Sequence, residues 1–161
     1  MGIEIERKFL VTGDGWRTEA ARSLEMRQGY LAGEGGRASV RVRLEGTEAR
    51  LNIKAAVIGA ARAEYEYPMP ADDARKILET LCVGTLEKVR HYVEREGLTW
   101  EVDEFLGVNA GLIVAEIELE SVDQAFSRPE WVGRELTDDR RYYNHYLAIH
   151  PYSTWPDADR H

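Results

Sequence analysis

The chain has 161 residues, 43% of them hydrophobic and 31% charged, with a formal net charge of −8, which fits one globular domain with a substantial core. The acidic balance excludes a nucleic-acid binder acting through a general basic surface, but not an anion held by a local basic cluster. Cys82 is the single cysteine, so intramolecular disulfides are excluded. With no apolar run of spanning length and no signal-peptide pattern, the expectation is a soluble cytoplasmic protein without membrane contact.

No repeat, low-complexity tract or Pro/Gly/Ser-rich linker divides the sequence, so one domain over 1–150 and an irregular tail over 151–161 are expected. Alternation at period two predicts eight strands, at 2–11, 25–32, 37–45, 48–56, 62–69, 85–95, 98–106 and 113–120. Glu-Gly pairs at 45–46 and 96–97 sit between alternating runs as tight hairpins require, and "GEGG" at 33–36 reads as a longer loop. After Pro70, "ADDARKILETLC" predicts a helix with early Asp72 and Asp73 and an apolar face of Ala74, Ile77, Leu78 and Leu81. Ser121 and Gln124 have capping-box spacing and predict a second, short helix. Thr137 reads as the N-cap of a third, with Tyr143, Tyr146, Leu147 and His150 as its packed stripe.

Successive side chains of a strand point to opposite faces, and here the faces are sorted by charge. Glu4, Glu6 and Lys8 share one face of the first strand. Arg41 with Arg43, Lys54, Glu64 with Glu66, Lys88 with Arg90, Glu101 with Asp103, and Glu116 with Glu118 do so on six others. A sheet with one face in water accounts for such alternation strand by strand. Solvated faces, however, mix Ser, Thr, Gln, Lys and Glu, whereas these are acidic or basic pairs, often with Arg, whose fork suits phosphate. The alternative is a sheet curled into an eight-stranded barrel with its charged face concave and its apolar face covered by helices. Such an interior is costly when empty, because like charges face each other in reduced dielectric. It is satisfied by a phosphate chain with a bridging divalent cation. The basic set of Lys8, Arg41, Arg43, Lys54, Lys88 and Arg90 suits phosphate oxygens. The acidic set of Glu4, Glu6, Glu64, Glu66, Glu101, Asp103, Glu116 and Glu118 suits a hard cation, Mg²⁺ or Mn²⁺.

Other chemistries lack their residues. There is no GxxxxGK[ST] phosphate loop, and the four histidines have no paired zinc spacing. His91 lies on the face opposite Lys88 and Arg90, which puts it in an outer layer. Cys82 falls on a helical pattern as a buried thiol. Trp16, Trp100 and Trp131 could stack on an organic group, but packing explains each more simply.

The opening Glu4-Ile5-Glu6-Arg7-Lys8, followed by "RVR" at 41–43, "NIK" at 52–54, "EYEY" at 64–67, "EKVRHYV" at 87–93, "WEVDEF" at 100–105 and "AEIELE" at 115–120, resembles the CYTH superfamily, the triphosphate tunnel metalloenzymes. The resemblance spans about residues 3 to 147. It implies an α+β protein with an antiparallel eight-stranded β-barrel forming a charged tunnel, helices outside, and Mg²⁺- or Mn²⁺-dependent chemistry on triphosphates. By the same resemblance Glu4, Glu6, Glu116 and Glu118 are metal-side residues, and Arg41, Arg43, Lys54, Lys88 and Arg90 hold phosphate. "DDRRYYN" at 138–144 is similar to the family's terminal segment, which makes Arg140 and Arg141 candidate secondary contacts, although charges on a solvated helix face explain them as well.

The expected function is hydrolysis of inorganic tripolyphosphate to pyrophosphate and phosphate, with either a lysine of lowered pKa, Lys8 or Lys88, or a carboxylate as the base. Adenylate cyclase and thiamine triphosphatase are the alternatives on the same fold, and a non-catalytic polyphosphate-binding module is the alternative of another class. The expected partner is a small anionic triphosphate, and a homodimer is compatible with the sequence.

Overall fold

A computed structural model describes residues 2–161. Its elements in chain order are β1 (Gly2–Val11), α1 (Trp16–Glu19), β2 (Arg22–Tyr30), β3 (Ala38–Glu45), β4 (Glu48–Ala55), β5 (Ala61–Met69), α2 (Ala71–Thr80), β6 (Gly84–Arg95), β7 (Leu98–Phe105), β8 (Ile113–Glu118), β9 (Val132–Glu135) and α3 (Asn144–Ile149). The sheet runs β5-β4-β3-β2-β6-β7-β8-β1-β9, and β5 also pairs with β1. Strands β1 to β8 therefore close into a barrel, all antiparallel, and the expected eight-stranded barrel is observed. The turn between β6 and β7 has positive φ at both central residues, Glu96 at 51° and Gly97 at 77°. That is the geometry a two-residue hairpin of right-handed twist requires.

Two apolar layers cover the outside. On β1, β6, β7 and β8 the outward residues Phe9, Val93, Trp100, Val102, Ala115 and Ile117 pack with Trp16 of α1 and with Trp131. Helix α2 lays Ala74 and Leu78 on Val42 and Ala49 of β3 and β4. All three tryptophans offered for stacking are thus in the outer core. His91 is outside too, between Ser23 Oγ at 2.6 Å and Glu104 at 3.2 Å, against the Trp16 ring. Cys82 lies past the end of α2 and is half-buried.

The third apolar cluster is inside one end of the barrel. Leu10, Tyr30, Leu86, Phe105 and Val114 point inward there, and Leu136, Tyr142, Leu147, Tyr152 and Trp155 of the C-terminal segment fill the space between them. The tail expected to be irregular instead makes two 3₁₀ turns, Tyr152–Thr154 and Asp157–Asp159, because two of its aromatics complete this plug. No helix among the described residues is long and apolar enough to cross a membrane.

Three expectations are corrected. The helix at 121–126 does not form: Gln124 Oε1 accepts from Glu120 N–H at 2.6 Å, but Phe126 is drawn onto Phe9 and Trp100. The helix from Thr137 is broken, because Thr137 Oγ1 accepts from the Lys8 N–H of β1 at 3.0 Å and Tyr143 is extended at φ −73°, ψ 141°. The half-ring strand β9 and the single turn α1 were not expected at all. β9 continues the sheet where β1 leaves β5, pairing Phe9 with Glu135.

The plug's fit to the barrel depends on Gly84, where a Cβ would lie 2.5 Å from the Ala148 carbonyl oxygen of α3. That contact is with backbone and cannot be relieved by a side-chain rotation. Gly84→Ala is expected to cost about 1–3 kcal/mol, as overpacked core sites do, seen as a lowered Tm. An unchanged Tm would mean that α3 is not seated on β6.

Candidate active site inside the barrel

The barrel register decides which charges meet. Inward residues are brought opposite one another as Lys8 with Glu116, Arg90 with Asp103, Lys54 with Glu64, Glu4 with Arg62, and Arg41 with Asn52. Fourteen of the residues named from the sequence form this site, and thirteen of them line a cavity of about 480 Å³. Asp103 is the exception. It lies fully buried behind Lys88 and Arg90 and holds both. Arg140 lines the cavity as well, whereas Arg141 turns outward to Asp139 at 2.8 Å.

The wall is polarised. Strands β3 and β6 bring Arg41, Arg43, Lys88 and Arg90 together, all buried. Asp103 takes Lys88 Nζ at 2.6 Å and two nitrogens of Arg90 at 2.8 Å, and Glu101 takes the third at 2.8 Å. These two acids do not balance four cations. Burial, with the charges of Arg41 and Arg90, lowers Arg43 to about 10. Burial also lowers Lys88 to about 7; Asp103 opposes the shift, and Arg90 and Arg43 reinforce it. Asp103 itself stays below its ordinary value despite burial, because Arg90 and Lys88 both face it.

The opposite wall has the converse imbalance. Across β1, β8 and β7, Glu6 faces Glu118 and Glu116 faces Glu101, acid directly on acid. Like charges in that position repel. Burial raises Glu6 to about 8, and the Glu116 carboxylate beside it adds to the shift. Glu116 is held well below its ordinary value in spite of burial by Lys8, Arg90 and Lys88. Burial likewise raises Glu101.

Four residues that sequence reasoning passed over complete the site. Gln28 Oε1 accepts from Arg43 Nε at 3.0 Å, and its amide donates to Asn144 Oδ1 at 3.1 Å. Asn144 Oδ1 also accepts from Lys88 Nζ at 2.8 Å, so the plug fixes the ammonium in place. Tyr143 of the same segment puts its ring 4.9 Å from Lys8 Nζ and 4.8 Å from Arg62 Cζ. Arg62 was legible in principle, because it is two residues before Glu64 on the same face of β5. Gln28 carried no such signal, and Asn144 only that of closing the "DDRRYYN" segment.

The donor set fits a divalent cation by its chemistry. Every available ligand is a carboxylate oxygen, and two of the carboxylates, Glu6 and Glu116, lie side by side. Among the described residues no three metal-ligating side chains converge on one point. Mg²⁺ does not need that, since it is commonly held by one or two carboxylates together with water and substrate phosphates.

The CYTH domain family profile matches residues 2–145. An inorganic triphosphatase of Acetivibrio thermocellus is 45% identical over 158 residues, covering 98% of this chain and 100% of the relative. One of Nitrosomonas europaea is 35% identical, covering 91% and 97%. The crystal structure of the inorganic triphosphatase NE1496 superposes with a TM-score of 0.65 at 34% identity, over 91% of this chain and 97% of that one. A Pyrococcus horikoshii protein, PH1012, shares the fold at a TM-score of 0.59 and 17% identity, over 74% and 80%.

The raised pKa of Glu6 has a consequence for stability. A carboxyl that titrates at 4.5 unfolded and about 8 folded binds more protons folded between those values. Its contribution is therefore complete below pH 4.5 and lost as pH rises through about 8. In metal-free protein, Glu6→Gln stays neutral, so its Tm should rise relative to the parent between about pH 5 and pH 9 and match it near pH 4. A difference independent of pH would mean that Glu6 is not crowded by Glu116.

Proposed function

The chain belongs to the CYTH family, and from that membership we propose that it is a metal-dependent inorganic triphosphatase, cleaving tripolyphosphate to pyrophosphate and phosphate. One observation carries the reading: a single cavity has a cluster of four buried cations on one wall and, on another, carboxylates facing carboxylates at Glu6–Glu118 and Glu101–Glu116. A phosphate chain with a divalent cation answers both at once. Neither ligand alone does so.

Glu4, Glu6, Glu116 and Glu118 would hold the cation, Mg²⁺ or Mn²⁺, with Glu64, Glu66 and Glu101 as further acidic lining. When bound, the cation neutralises phosphate charge and orients the phosphate oxygens. Arg41, Arg43, Lys54, Lys88 and Arg90 bind the phosphate chain from the opposite wall. Arg41 and Arg43 stand roughly 6.5–7 Å apart along their strand, enough to contact successive phosphoryl groups. Arg90 has an N–H on each nitrogen already bonded to Asp103 or Glu101, so it acts mainly through its charge.

Catalysis by such a wall is positioning and charge stabilisation, as phosphoryl transfer requires. Water attack needs a proton acceptor, for which Lys8 and Lys88 are the candidates. We assign it to Lys88, whose ammonium is lowered to about 7 by burial together with Arg90 and Arg43. Asn144 and Asp103 hold its Nζ. Lys8 stands across the cavity beside Glu116 at 3.8 Å and serves substrate charge.

Phosphate release from tripolyphosphate, pyrophosphate and ATP tests the reading. Activity should vanish in EDTA and return with Mg²⁺ or Mn²⁺; turnover in thoroughly chelated protein would refute the metal's role. Pyrophosphate forfeits one phosphoryl group's contacts. At about 1.5–3 kcal/mol for each of two charge-assisted bonds, its kcat/KM should be roughly two to four decades lower. Equal rates on pyrophosphate and tripolyphosphate would refute the chain-length argument, and ATP far ahead of both would identify a nucleotide enzyme.

The two walls should also separate in mutants. Glu116→Gln should lower kcat and raise the Mg²⁺ concentration needed, whereas Arg41→Ala should chiefly raise KM. If Glu116→Gln left metal dependence unchanged, Glu116 would be no metal-side residue.

A further inference from the structure

Arg62 differs from the other interior arginines in how its donors are used. Arg90 is bonded through all three nitrogens and Arg43 through Nε. Arg62 makes no side-chain hydrogen bond among the described residues, although its side chain is only 12% exposed. Its Nε is buried without an acceptor, as is that of Arg41, but Arg41 still donates through Nη2 to Glu66 at 3.4 Å and Arg62 through no nitrogen. Its ionic partner within 4 Å is Glu6, at 3.6 Å, beyond hydrogen-bond reach.

An arginine that served packing alone would have its buried N–H satisfied, as the great majority of buried donors are. Arg62 is also held in place with care. Its guanidinium stands 4.8 Å from the centre of the Tyr143 ring. That ring is fixed by its hydroxyl, which donates to the Thr137 carbonyl at 2.6 Å and accepts from Gly59 N–H at 3.2 Å. The same ring takes Lys8 Nζ at 4.9 Å. Two cations of different strands, β1 and β5, are thus brought to one aromatic group from the plug, and both line the cavity. The carboxylate nearest Arg62 belongs to Glu6, which sits on the acidic wall assigned above to the cation. With that carboxylate committed elsewhere, the guanidinium is left with open donors and no acid.

We propose that Arg62 is a substrate-binding residue that, with Lys8, receives the phosphoryl group nearest the plugged end of the cavity, and that Tyr143 is the residue positioning both. The ligand class is an inorganic or organic polyphosphate presenting a terminal oxyanion to a guanidinium. The proposal rests on the triphosphatase reading. It adds β5 to the strands that face the phosphate chain, β3, β4 and β6 with Lys8 of β1.

The test measures tripolyphosphate affinity by titration calorimetry in EDTA, and KM and kcat with Mg²⁺, for the parent, Arg62→Met, Arg62→Lys, Tyr143→Phe and Tyr143→Leu. Loss of one to two charge-assisted bonds in Arg62→Met should raise Kd and KM by about tenfold to a hundredfold, with a smaller fall in kcat. Its Tm should not drop, since the lost guanidinium had an unpaired buried N–H. Arg62→Lys should recover part of the affinity. Tyr143→Leu, which removes the ring, should raise KM more than Tyr143→Phe, which removes only the hydroxyl. Should Arg62→Met fold poorly, Arg62→Lys against the parent supplies the same comparison, because an ammonium cannot reproduce the fork. A parent that neither binds nor cleaves tripolyphosphate overturns the triphosphatase reading and this one with it. A parent that does both, with Arg62→Met or Arg62→Lys matching its KM and Kd within about twofold, overturns this proposal alone.

Discussion

Charges taken out of water must find opposite charges, and this constraint organises the molecule. A barrel of eight strands puts every second residue inside, and here most of those residues are ionised. The closing pair, β1 with β5, sets Glu4 opposite Arg62 and so contributes to neutralising the seam it makes. Around the ring the register repeats the device with Lys8 and Glu116, Lys54 and Glu64, Arg90 and Asp103. A slip by one residue in any of these strands would turn charges into the outer core and Trp100 or Val42 into the cavity. The charged face therefore specifies the register as firmly as an apolar core does elsewhere.

The compensation is incomplete, and the places where it fails are the functional ones. Asp103 answers Lys88 and Arg90 together, which leaves Arg41 and Arg43 to a single long contact each with Glu66 and Glu45, at 3.4 Å. Glu6 meets Glu118 and Glu101 meets Glu116, acid opposite acid in the register. Titration is displaced there: burial, reinforced by like-charged neighbours, lowers Lys88 and Arg43 and raises Glu6. An interior optimised for stability would pair or delete these groups. Retaining them costs stability, and the outer layers around Trp100 and Leu78 offset that cost with ordinary apolar burial.

The strands and their inward faces were legible in the sequence because period two is a local property, and the charge of each face can be read from four or five residues. Arg62 was passed over although Lys54, equally single on its strand, was counted: it stands before Glu64, flanked by alanines, and shares that residue's face. The C-terminal segment was misread for a different reason. Thr137 is a good N-cap and Tyr143, Tyr146 and Leu147 have helical spacing, so local propensity favours one helix. The structure breaks it because Thr137 Oγ1 is taken by Lys8 N–H and because an extended Tyr143 can reach the cavity. Those partners are more than a hundred residues away in sequence, where no periodicity points. The tail's two 3₁₀ turns and β9 likewise follow from packing on elements already formed.

The plug links stability to chemistry through one short segment. Its apolar residues, Leu147, Tyr152 and Trp155, close the barrel end, while its polar neighbours, Tyr143 and Asn144, face the charges. Asn144 Oδ1 holds Lys88 and Gln28 at once, and Gln28 holds Arg43, so a single amide pair spans the basic wall from β6 to β3. Neutral amides suit that position, since a carboxylate there would neutralise Lys88 and remove the shortage of anions on which binding depends. An apolar residue would leave the buried ammonium one acceptor short. The wall is thus kept rigid by groups that add no charge, and its positive excess stays directed at the cavity.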